Sequence, residues 1–243
     1  MVDYESIEQR LSDALHLQRR PVAVTFGESP PAGVPRFAGT EPSGCSFWRL
    51  AAAGRTFYTV PGDHYNCPIG SYTHNIPLPP DRARELDQTL TFMAGIGYLR
   101  MEEVPGIPRL PQTPEIVIYA PLGDTPVHPD VVLFAGRPGR LMLLQEAALR
   151  GGVGVQPAFL GRPTCMALPG ALASGVVTSR GVSATGCTPT WGRTNSTWRF
   201  RGGTWPGLRR RFRPSPMPTP GWPSTTAGGE RPWRPNSAPR SRA

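Results

Sequence analysis

The texture of this chain breaks at about residue 180, and that break limits what can fold. From Arg180 onward the large apolar side chains are Val182, Phe200, Leu208, Phe212, Met217 and five of the six tryptophans. They are set among ten prolines, with no isoleucine and no tyrosine. Such a segment cannot bury enough surface to offset its ordering entropy, so it reads as an irregular or disordered tail. Residues 180–243 also hold 12 of the 26 arginines but only one acid, Glu230. Residues 1–179 hold the other 14 arginines against 16 acids. The net charge of +9 therefore belongs to the tail. The whole-chain pI is no argument for a nucleic-acid role of the rest.

The tryptophans have a specific explanation. The chain contains no lysine, and Gly and Pro together make 59 of its 243 residues, which points to a GC-rich gene. In such a gene leucine is usually CTG. Read one base late before a G, CTG becomes TGG, the tryptophan codon. Reverse translation of the tail followed by a step to the neighbouring frame yields a different texture. It gives a turn with a cysteine, an acidic cluster, an alternating apolar strand and an alanine-rich amphipathic helix. Both periods of globular structure are then present, which random text rarely yields. The tail is therefore read as out of frame, with a shift near Ser179–Gly181. Residues 1–179 form the domain and 180–243 the extension.

Other classes fall quickly. The start, MVDYESIEQR, is polar and acidic, so no secretory signal is expected. No run of about 18 apolar residues exists, so no membrane span is expected. Four cysteines without an export signal do not suggest a disulfide scaffold. The expectation is a cytoplasmic protein with reduced thiols. A small molecule, a metal or further copies of the chain remain as partners. Nucleic acid joins them only if the basic tail is genuine.

Residues 1–179 alternate irregularly between helical and strand patterns. Ile7, Leu11, Ala14 and Leu15 recur at helical spacing over Tyr4–Leu17. Val22–Phe26 is a strand bounded by Pro21 and Gly27, and Thr56–Val60 is a second. Gly44–Ala53 is a short helix between Ser43 and Gly54. Residues 62–80, GDHYNCPIGSYTHNIPLPP, show neither period and read as an irregular, site-bearing loop. Asp81–Met93 is a helix with a solvated face, and residues 104–114 are a Pro-rich connection. Glu115–Tyr119 and Val131–Phe134 are strands, and Arg140–Arg150 is a helix. A short helix over 164–172 and a strand from Gly175 follow. The fold class is α+β, one compact domain with a mixed sheet and flanking helices.

The chemistry-bearing residues cluster in the irregular loop and at two helix starts. Cys45, Cys67 and Cys165 are candidate metal ligands. A fourth cysteine is restored by the neighbouring frame where Gly181–Val182 now stand, and the encoded Cys187 is then accidental. Thiolates near helix N-termini are favoured by the local dipole. Four of them suit zinc or an iron–sulfur cluster, although no CxxC pair exists. His64, Asn66, Cys67, Gly70 and His74 form the candidate ligand-binding loop. His64, Cys67 and His74 span eleven positions and would suit a metal or a small polar ligand. A Cys67–His64 nucleophile pair is an enzymatic alternative. Buried thiols and satisfied loop polar groups are the plain alternatives. GGVG at 151–154 follows a helix, the wrong order for a dinucleotide fingerprint. No P-loop, GxSxG or HExxH occurs.

In order and spacing, RRPVAVTF (19–26), Cys45 with NCPIG (66–70), VVLFAGRPGRLMLLQEAALRGG (131–152) and GRPTCMALP (161–169) resemble the DUF169 family. The resemblance covers residues 4–179 and extends into the shifted frame. It implies a domain type and no reaction, because the family has no established activity. The functional expectation is therefore a binding or sensor-like domain, with the Cys/His enzyme and the basic-tailed nucleic-acid binder as alternatives. Sequencing the gene across codons 170–200 is expected to show the acidic-cluster and alternating-strand text in the neighbouring frame. Codons that do not encode it there would end the frameshift reading.

Overall fold

The computed structural model describes residues 2–158, 164–175, 177–182 and 186–192. Its centre is strand β3 (Ile116–Pro121), an unbroken buried run, IVIYAP. A strand with neither face in water has no reason to alternate polar and apolar residues. Strand β1 (Val22–Gly27) pairs antiparallel with it, Val24 opposite Tyr119. Strand β2 (Phe57–Thr59) flanks β3 on the other side, Thr59 opposite Val117. Strand β4 (Val131–Leu133) lies against β1.

The sheet continues through β5 (Val155–Ala158), β6 (Val177–Val182) and β7 (Gly186–Gly192). The strand order is β2-β3-β1-β4-β7-β6-β5, and only the β5–β6 pair is parallel. The expected α+β class and mixed sheet with flanking helices hold. All described residues belong to one unit, Met1–Gly202. The sheet thus carries past residue 179 as far as Gly192. The remainder of the expected irregular tail lies outside the described residues.

Helices cover both faces. Helix α2 (Gly44–Ala52) and helix α6 (Ala167–Ser174) bury Phe47, Trp48, Ala51, Leu168 and Ala171 against Val22, Val24, Phe57, Val117, Tyr119, Val131 and Leu133. Helix α1 (Tyr4–Leu15) and helix α5 (Pro138–Arg150) cover the other face. There Leu15, Phe134, Leu141 and Leu144 meet, joined by Leu11 and Val132. Val131 and Leu133 face one layer and Val132 the other, as the two-residue period of a strand requires. Asp3 caps α1 by accepting from the Ser6 amide at 3.0 Å, and the helix ends at His16 in the left-handed region. Glu8 ties α1 down, pairing with Arg20 and accepting from the Gly123 amide.

Two parts differ from the sequence reading. The segment 62–80 is not wholly irregular. It holds a 3-10 turn (Pro61–His64) and helix α3 (Pro68–Thr73). Six residues are too few to display a helical period, and Pro68 at the first helical position is a start signal rather than a breaker. Strand β5 was not expected because it is four residues long and contains Pro157. It lies at the edge of the sheet, where a missing amide is tolerated. Helix α4 (Pro80–Gly95) buries no residue, in line with its expected solvated face, and Arg82 pairs with Glu85 at 2.6 Å.

Candidate functional site

The site is built on α3 and the turn before it. Residues Pro61–His64 leave β2 as a 3-10 turn, closed where Asp63 accepts from the Val60 amide at 2.9 Å. The His64 carbonyl then accepts from the Cys67 amide at 3.0 Å and the Ser71 hydroxyl at 2.9 Å. That fixes the start of α3. Its end is fixed by Asn75, whose φ of 57° asparagine tolerates better than most residues. The Ile76 amide there returns to the Ser71 carbonyl at 2.9 Å.

These turns bury a polar cluster. Thr59, His64, Ser71, Thr73 and His74 are all at most 2 % exposed. The two imidazole centroids lie 5.5 Å apart. Phe47 of α2 packs on His64 at 5.0 Å and on Tyr119 at 5.6 Å, so apolar rings wall the cluster.

The partners of each imidazole define its tautomer. His74 Nδ1 faces the Gly70 carbonyl at 2.9 Å. A carbonyl only accepts, so Nδ1 carries the proton and Nε2 is bare. His64 Nε2 stands 2.8 Å from Thr59 Oγ1. Thr59 donates its own proton to the Val117 carbonyl at 3.3 Å, so it accepts from His64 Nε2–H. His64 Nδ1 is then bare. Both bare nitrogens are buried without a hydrogen-bond partner, as is the Tyr119 hydroxyl. Burial drives both rings toward the neutral form. His64 is pushed down to about 3 by burial and then by His74. His74 falls to about 4 by burial, opposed by the Gly70 carbonyl.

The thiols come from three segments that pack together: α2, α3 and a 3-10 turn (Thr164–Met166). Cys45 lies in the first turn of α2, Cys67 precedes α3, and Cys165 is buried in that turn. Burial pushes the Cys45 thiol up to about 11, with Cys67 adding to the rise. Cys165 reaches about 12, through burial and then Cys45, opposed by a hydrogen bond with Thr73. The Tyr119 hydroxyl is also raised, by burial and then by Cys45. The three thiols thus lie within electrostatic reach of one another, and Tyr119 within reach of Cys45.

Against this geometry stands one comparison that matches. The family model for DUF169, described as an uncharacterised ArCR family, fits residues 10–174. This chain belongs to the DUF169 family. No curated protein and no solved structure matches it.

In this DUF169 domain most of the residues singled out from sequence come together, with corrections. His64 lies beside His74, and Cys45, Cys67 and Cys165 come from three segments that pack together. Gly70 is there for space: a Cβ on it would stand 2.9 Å from Cys67 Sγ. Asn66 instead accepts from Arg82 Nη2 at 3.2 Å and ties down α4. The expected dipole-stabilised thiolates are not found at Cys45 and Cys165, because burial outweighs the helix ends. Among the described residues no three His, Cys, Asp or Glu side chains stand at the spacing of one metal ion, the three cysteines included. Cys187 lies on β7, away from any role the sequence suggested. Thr59, Thr73 and Tyr119 were missed. The one signal for Tyr119 was a hydroxyl in an otherwise apolar strand, since a buried tyrosine usually needs a partner.

The neutral imidazoles set a pH dependence. Unfolded, each histidine binds a proton near its ordinary 6.5, while folded it resists to about 3 or 4. The unfolded state therefore binds more protons below about pH 6.5, and stability falls as pH drops. The melting temperature is expected to decline between about pH 6.5 and 5, above the range where ordinary carboxylates titrate. A flat profile there would contradict neutral burial of these rings.

Proposed function

We propose that this DUF169 chain is a binding domain whose occupant sits in the thiol–imidazole chamber between α2, α3 and the Thr164–Met166 turn. One observation carries the reading: two buried imidazole nitrogens, on rings 5.5 Å apart, and the buried Tyr119 hydroxyl near Cys45 lack partners. Leaving such a group unsatisfied costs about 1–3 kcal/mol. Three of them favour an occupant that repays the cost. Metals, metal–sulfur clusters and small polar ligands are the classes this donor set suits. The domain is read as a cytoplasmic binder of sensor type, in which occupancy tightens the packing of α3.

A second reading has its own support. Cys67, partly exposed, lies between His64 and His74 in the chain, although burial that pushes the two rings down to about 3 and 4 makes them weak bases. An enzyme using Cys67 would need one of these rings to take its proton. Alkylation kinetics separate the readings, since an activated thiol reacts well below pH 8.5.

Native mass spectrometry of the full chain, purified without oxygen from its own host, tests the binding reading. The expected result is an additional non-covalent mass that is lost on unfolding. A bare polypeptide mass, unchanged in melting temperature after incubation with zinc or with iron and sulfide, would overturn it.

A further inference from the structure

Residues 80–106 form α4 and a 3-10 turn (Met101–Gly106), and neither element buries a residue. The first half of α4 reads as a solvated face, with Asp81, Arg82, Arg84, Glu85 and Asp87. The second half does not. From Gln88 to Leu99 there are twelve residues without a charge. Phe92 and Ile96 stand there 66 % and 63 % exposed, one turn apart on the same side of the helix. A helix face turned to water normally carries charge, and most helical stability comes from packing an apolar face. This face has water where packing belongs.

The strip extends past the helix. The Tyr98 amide returns to the Met93 carbonyl at 2.9 Å, which folds the chain back over the helix end. Met101 then opens the turn that packs on α4. Tyr98 and Met101 are 43 % and 47 % exposed. A whole aromatic side chain covers about 150–250 Å², so at these exposures the four residues leave on the order of 400 Å² of apolar surface in water. Scattered apolar residues need no cover, but a patch of this size marks an interaction site. A standard interface buries about 800 Å² on each side, a little over half of it apolar. The strip supplies most of that apolar share by itself.

Charge narrows the partner. Across residues 80–106 three arginines stand against five acids, which offers nothing to nucleic acid or to anionic lipid. Arg82 pairs with Glu85 at 2.6 Å and Arg100 with Glu103 at 2.9 Å, so the charges flanking the strip are already matched within the chain. The partner must present an uncharged apolar surface, and the strip itself is one. It also holds both a knob and a notch. Gly95 lies one turn from Phe92 on the same side, and a Cβ there would meet nothing within 4 Å.

We propose that the Gln88–Met101 strip is the isologous interface of a homodimer, in which two α4 helices cross antiparallel about a two-fold axis. Phe92 of each copy then seats over Gly95 of the other. Ile96 lies near the axis, and the two ion pairs fall on the rim. The apolar strip is covered without any change in the fold.

The test is sedimentation of the full chain under reducing conditions over a range of concentrations, joined to hydrogen exchange. A species of twice 26.3 kDa is expected, with the amides of residues 88–99 exchanging more slowly as concentration rises. Phe92→Glu should give a monomer of unchanged melting temperature, since the position is exposed. Gly95→Leu, which fills the notch and favours the helix, should weaken dimerisation at least tenfold. Met142→Glu, an exposed apolar position on α5, should leave the dimer intact. A monomer at every concentration would overturn the proposal, and so would a dimer indifferent to Phe92→Glu and Gly95→Leu. Binding of a monomeric chain to phosphatidylcholine vesicles, lost in Phe92→Glu, would assign the strip to a membrane surface and end the proposal.

Discussion

Two imidazoles are buried too deeply for either to be charged, and the local architecture follows from that. Neutral rings need one acceptor each for their single N–H. The Gly70 carbonyl serves His74 from within α3, and Thr59 serves His64 from the edge of the sheet. The Thr59 bond ties the turn before α3 to β2, and the Gly70 bond closes the end of a six-residue helix too short to hold by propensity alone. Phe47 and Tyr119 complete the wall and keep water from stabilising an imidazolium.

The same dryness governs the sulfur chemistry. A helix start near Cys45 favours a thiolate, but only by a fraction of what burial costs. Arg49 acts on Cys45 but burial outweighs it, so Cys45 and Cys165 stay protonated. The thiols are therefore quiet in the isolated protein. Reactive-cysteine enzymes use the opposite design, an exposed and electropositive thiol.

Much of this was legible before any coordinates. Val22–Phe26 and Glu115–Tyr119 announce strands by β-branching and length, and Leu11 and Leu15 announce a helix face. The candidate residues His64, Cys67, Gly70 and His74 were found because polar, Gly- and Pro-rich text after a strand reads as a site. The helix hidden inside that text was not legible, since one and a half turns show no period. Nor was the role of Asn66, whose partner Arg82 sits sixteen residues away on another helix. Thr59 and Tyr119 escaped because their alternation places them in a core, and only the paired register brings their hydroxyls to bear on the chamber. The thiolate expectation failed because sequence reveals a helix start but not the depth of its burial.

The most direct test of this account is the protonation of the two rings, read by nitrogen-15 NMR of histidine-labelled full chain at neutral pH without added metal. The account predicts two neutral imidazoles of opposite tautomer. His74 carries its proton on Nδ1 and His64 on Nε2, and the other nitrogen of each is bare. An imidazolium signal from either ring, or the same tautomer in both, would contradict it.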